Sequence, residues 1–124
     1  MPGRIWILCG AISAAVAVAA GAFAAHVLKT RLDEKVFETF EVAVRYQMYH
    51  AIGLIITGLL VARAPSASLT TAGVLFLIGT ILFSGGLYAW IFTGVKFFVL
   101  IVPVGGTAWI FAWLALAASQ ILLR

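Results

Sequence analysis

The chain has 124 residues, of which 65% are hydrophobic and 10% charged, with eight Lys and Arg against four Asp and Glu and a formal net charge of +4. So few charges cannot coat the surface of a soluble domain of this length, so the composition excludes one and makes lipid the fitting solvent. The basic residues stand singly at the ends of apolar runs and form no stripe, so nucleic acid is not an expected partner.

A helix that crosses a bilayer needs about 20 mainly apolar residues, and four stretches qualify, at approximately 5–28, 47–63, 69–93 and 97–122. The expectation is one domain over 1–124, an all-α integral membrane four-helix bundle. Arg4, the run behind it and Ala22-Phe23-Ala24 have the outline of a cleavable signal peptide. The run is nevertheless long enough to span and is expected to be retained as span one. Within it Gly10, Ala14, Ala17, Gly21 and Ala25 recur every three or four residues, a strip along which a second backbone can approach closely. Cys9, the only cysteine, excludes an internal disulfide or multi-cysteine metal site and reads as a small packing residue.

Residues 31–46 place Glu34, Glu38, Glu41 and Arg45 on one helical face and Val36, Phe37, Phe40 and Val44 on the other. Thr30 with Asp33 resembles a capping box. This segment is expected as an amphipathic interfacial helix between spans one and two, lying on the membrane and bending into span two. The turn 63–68, with Pro65 and small polar residues, separates spans two and three, and the shorter 93–96 separates three and four. No internal repeat of the kind common in transporters is visible.

In span three Thr80, Ser84 and Tyr88 are four residues apart and share a face, while Gly85 and Gly86 admit a neighbouring backbone. In span four Pro103, Gly105, Gly106 and Thr107 suggest a local kink that frees carbonyls, although such breaks are also common in purely structural membrane helices.

Four spans put both termini, with Arg4, Arg63 and Arg124, on one side. Lys29, Arg31, Lys35, Arg45 and Lys96 fall on the other. Five against three places the connection 29–46 in the cytoplasm, for a multi-pass protein of a bacterial inner membrane or its equivalent.

The polar residues converge by depth. His26 closes span one; Tyr46, Gln47, Tyr49 and His50 open span two; Ser84 and Tyr88 lie late in span three; Thr107 lies about three turns into span four. The opposite half offers little beyond Cys9, Ser13, Thr57, Ser119 and Gln120. Polar groups near hydrocarbon need partners, so a connected network at one membrane face is expected. Tyr46 and Tyr49 fit interfacial anchors, and Arg45 could reach a lipid phosphate. His26 and His50, set at one depth, fit structural hydrogen bonding first, a proton or ligand site second, and metal or haem last, because no HxxxH or Cys/His cluster accompanies them. No metal site or cofactor is expected.

The segments Gly21-Ala22-Phe23-Ala24-Ala25-His26, Val44-Arg45-Tyr46-Gln47-Met48-Tyr49-His50, Leu82-Phe83-Ser84-Gly85-Gly86-Leu87-Tyr88 and Pro103-Val104-Gly105-Gly106 together resemble the small membrane protein family known as domain of unknown function 423, which includes relatives of transmembrane protein 256. The motifs occur in the family's order over most of the chain. Ala24 stands where the family usually has Gly, and Pro103-Val104 varies a Pro-Ile pair. The resemblance implies a small multi-spanning membrane protein and no particular reaction.

With no catalytic carboxylate pair or activated nucleophile in view, the expected function is that of a non-enzymatic accessory protein whose polar end recognises membrane lipid, another membrane protein or a second copy. The alternative is an oligomeric channel or transporter for protons or a small solute, with His26 and His50 near its entrance. A cofactor-binding enzyme or electron carrier is a third class.

Overall fold

The computed structural model describes residues 2–122; Arg124, counted above with the terminal charges, lies outside the described residues. The elements are α1 (Arg4–His26), a 3-10 turn (Leu28–Thr30), α2 (Glu34–Arg63), α3 (Ala67–Gly79), a π-helical turn (Thr80–Ser84), α4 (Gly85–Thr93) and α5 (Phe97–Leu122). Because α3, the π turn and α4 run on as one span over Ala67–Thr93, four helices among the described residues are long and apolar enough to cross a membrane. This is the expected all-α four-helix membrane bundle.

The amphipathic stretch is not set apart from span two. α2 continues unbroken through 46–47 for 30 residues, about 45 Å at 1.5 Å per residue. The apolar face of its first half is occupied within the protein: Phe40 is buried with Ala24 and Leu28, and Phe37, Val44, Tyr88 and Ile91 pack around them. That face therefore has protein to cover it and no need to lie on lipid. The helix begins after Asp33, whose side chain makes no capping hydrogen bond, and Thr30 ends the 3-10 turn instead of opening a capping box.

α1 packs antiparallel along α2. Its buried small residues are Gly10, Ala17 and Ala24, with Gly3 buried just before its first turn, one every seventh position, the period that keeps one face on a neighbour. Added Cβ atoms at Gly10 would stand 2.6 Å from Ala51 O and 3.0 Å from Ile55 N. Ala14 and Gly21 flank this seam half-buried, whereas Ala25 is exposed. The last step of the expected strip is thus three residues, to Ala24, and not four.

The third span bridges α2 and α5. Leu54, Ala72, Phe76, Trp109 and Ala112 form the central core, with Trp6 and Cys9 packed against it. A Cβ at Gly105 would meet Phe83 N at 2.5 Å, and one at Gly86 would meet Phe98 O at 3.0 Å, so these two glycines set the close approach of α5. Gly106 lies in ordinary contact with the Phe83 ring, and Gly85 touches little beyond Thr80 O. α5 runs through Pro103 as a single helix. The irregular turn of the bundle lies in span three instead, where Gly85 N–H bonds to Thr80 O, five residues back. Ser66 caps α3 by accepting from Leu69 N (3.2 Å), and Gly94, at φ 70°, closes α4 in the left-handed conformation that favours glycine.

Candidate functional site

The continuity of α2 moves Gln47 and His50 from the opening of a span to the middle of a helix. The α1–α2 register does the same for Ser13, expected in the opposite half of the bundle. Gln47 is 4% exposed; its Nε2 donates to Ser13 O (3.0 Å), and its Oε1 accepts from the Tyr88 hydroxyl (2.7 Å). Helical side chains lean towards the N-terminus, which carries the Tyr88 phenol from late in span three back to this level. One amide thus joins α1, α2 and α4. One residue pair along, Ser84 Oγ donates to Ala43 O (2.7 Å), a second tie between span three and α2. Thr80, expected on the same face, donates to Phe76 O within its own helix (2.9 Å). The hydroxyl of Ser13 is buried without a partner.

The histidines do not share a site. The antiparallel register that sets Gly10 against Ala51 and Ile55 and clusters Ala24 with Phe40 puts His26 level with the first two turns of α2. That is roughly 18 Å from His50 along the axis. His26 is exposed at the end of α1. His50 is buried, with Nδ1 2.5 Å from Tyr46 O and its ring stacked on Trp109 at 3.7 Å and 5°. Tyr46 lies parallel to both rings within 17°. Phe76 and Trp113 stand around His50 at 6.0 and 6.1 Å, and Phe83 packs on Trp109 at 4.6 Å. Trp109 Nε1 donates to Phe76 O (3.2 Å). A groove of about 260 Å³ opens beside His50 between α2, the π turn and α5.

The remaining candidates face outwards. Arg45, Tyr46, Tyr49 and Thr107 are exposed; Thr107 Oγ1 only bonds back to Pro103 O (2.8 Å), and the rings of Tyr46 and Tyr49 meet edge to face at 5.5 Å. The expected cluster therefore divides into an inward set that ties helices together (buried Gln47 and Ser84 with half-buried Tyr88), an outward set (Arg45, Tyr46, Tyr49), and His50 between them. His26 and Thr107 join neither. Among the described residues no group of three or more His, Cys, Asp or Glu is placed to hold a metal ion.

Trp109, Trp113 and Phe76 were not singled out by the sequence reading, Phe83 entered only as part of a family motif, and Ser13 was not placed with Gln47. One signal was present: Trp109 and Trp113 stand four apart in the middle of span four, away from the interface where tryptophan is usual.

Proteins similar to this chain are UPF0382 membrane proteins. A UPF0382 membrane protein of Staphylococcus epidermidis is 38% identical over 118 residues, covering 95% of this chain and 96% of its own. The UPF0382 membrane protein YwdK of Bacillus subtilis is 37% identical over 119 residues, covering 95% and 97%. One from Staphylococcus haemolyticus is 39% identical over 116 residues, covering 94% of each chain. No solved structure matches. The sequence profile described as protein of unknown function, DUF423, matches residues 20–106, a stretch that holds the buried ties, His50 and the start of α5, and the chain belongs to that family of multi-pass membrane proteins.

Proposed function

We propose that this protein is a non-enzymatic accessory protein of the membrane that recognises another membrane component on the outward side of α2. The observation that supports this reading is the division of the polar cluster. Once Gln47, Ser84 and Tyr88 are engaged between helices, the side chains left over are Arg45, Tyr46 and Tyr49, exposed on one helix, with His50 beside them. Exposed Ile52, Ile56 and Leu59 continue the same side of α2, so the face has a polar part and an apolar stripe. Such a surface suits a lipid, a helix of another membrane protein or a second copy. The reading includes a bacterial inner membrane location with the connection 29–46 in the cytoplasm.

Native mass spectrometry of the protein in a lipid-preserving detergent tests it. Wild type is expected to retain a lipid or protein that is lost from the Arg45→Ala/Tyr46→Ala/Tyr49→Ala variant, while proton and solute flux in liposomes stays at the level of empty vesicles. Identical composition in the two samples, or flux that depends on the protein, would overturn the reading.

A further inference from the structure

His50 has a definite tautomer. A backbone carbonyl only accepts, so the Nδ1 that meets Tyr46 O carries the proton, and in the neutral ring Nε2 is left as a bare acceptor. The residue is 6% exposed; Nε2 has no hydrogen-bond partner among the described residues and is not among the fully buried atoms that lack one, and His50 lines the groove with Tyr46, Phe83, Gly106, Trp109 and Trp113. An acceptor that meets hydrocarbon without a donor is costly. A favourable occupant of the groove therefore supplies an O–H or N–H donor.

Position and shape narrow the occupant further. Trp109, on which His50 stacks, is close to the midpoint of Phe97–Leu122, an uncharged helix long enough to cross the membrane, and at such a depth a charged lipid head group is strongly disfavoured. The donor thus belongs to a neutral molecule dissolved in the hydrocarbon. Tyr46, His50 and Trp109 present nearly parallel rings, and aromatic groups favour offset stacking or edge contact with another ring. The volume, about 260 Å³, is below the roughly 300–1,000 Å³ of sites that enclose a whole drug-sized ligand. It admits a single ring and leaves any tail in the lipid.

We infer that the groove beside His50 binds the hydroxylated aromatic head of a neutral, membrane-dissolved molecule of the phenol or quinol class, with the hydroxyl donating to His50 Nε2. The inference rests on the proposed recognition role and names its ligand.

The test uses the full-length protein in lipid nanodiscs, with para-nonylphenol and its methyl ether as probes and quenching of tryptophan fluorescence as the readout, since Trp109 and Trp113 line the groove. The ether has the same ring and tail but no donor. The phenol is expected to bind saturably and at least tenfold more tightly than the ether. His50→Phe, which retains a ring to stack on Trp109, should bring the ratio to about one. Ile110→Trp, at an exposed position on the groove's edge, should abolish binding while leaving the core intact, and it serves if His50→Phe does not fold. Equal affinity for the two probes, a preference that survives in His50→Phe, binding that survives in Ile110→Trp, or no saturable binding overturns the inference. So does cross-linking of cysteines placed at 110 in two copies, because a second copy would then fill the groove. If a native partner is still lost from the Arg45, Tyr46 and Tyr49 variant when the phenol fails to bind, the ligand assignment alone falls; if neither is seen, both fall.

Discussion

At Gln47 a single side chain serves as donor to Ser13 O and acceptor to Tyr88, and its removal should be felt in three helices. Hydrogen bonds between helices in bilayers average about 0.6 kcal/mol and reach about 1.7. Tyr88→Phe, which leaves Gln47 Oε1 unpaired, is expected to cost about 1 kcal/mol in a reversible unfolding measurement in bicelles. The double variant Gln47→Leu/Tyr88→Phe should cost little more than Gln47→Leu alone, because the second change has no partner left to lose. Fully additive losses would mean that the two side chains do not interact. Ser13→Ala gives the opposite expectation: its hydroxyl is buried and unpaired, so the change should stay within about 0.5 kcal/mol. A loss above about 1 kcal/mol in the same assay would show that the hydroxyl is bound.

At the scale of elements, the seam between α1 and α2 depends on which small residues face it. Gly10→Leu drives a side chain into the backbone of Ala51 and Ile55 and should cost about 2 kcal/mol or more, since overpacking in a tight core costs about 1–3. Ala25→Leu, at an exposed position, should melt with wild type. The two variants separate the seven-residue seam from the strip expected through Ala25. α2 carries a second expectation. Nitroxide labels walked from position 40 to 56 should report one helical periodicity without a change of phase, and a break at 46–47 would restore a surface helix joined to a shorter span. Glu34, Glu38 and Glu41 are exposed on one side of the first half of α2 while Phe40 and Ala43 are buried on the other, which explains why that half separated from the second in the sequence: charges on one face depress the average hydropathy while the other face remains apolar.

For the whole molecule, short connections oblige neighbouring spans to run antiparallel, so the C-terminal ends of α1 and α4, and Lys96 with them, share a membrane side with the connection 29–46. In the proposed orientation a cysteine at Lys96 reacts with a membrane-impermeant maleimide in inverted vesicles and not in intact cells. One at Ala64 does the reverse. Swapped patterns would reverse the orientation and leave the bundle unchanged, because packing depends on the helix faces and the charge bias only on the side to which each loop is delivered.

Composition and apolar run length by themselves determined the solvent, the number of spans, the all-α class and the turns at Pro65 and Gly94, because each follows from local transfer and backbone preferences that act wherever the segment sits. They also identified Gln47, Ser84 and Tyr88 as polar groups in need of partners. Which partners they took was decided only by the tertiary structure: the register of α1 on α2 brought Ser13 to Gln47 and carried His26 away from His50. The stack of His50 on Trp109 and the π turn against Gly105 likewise depend on how closely helices distant in sequence approach. A hydropathy pattern is a one-dimensional record of transfer into lipid, and it holds no information about the relative rotation and sliding of helices that fix those contacts.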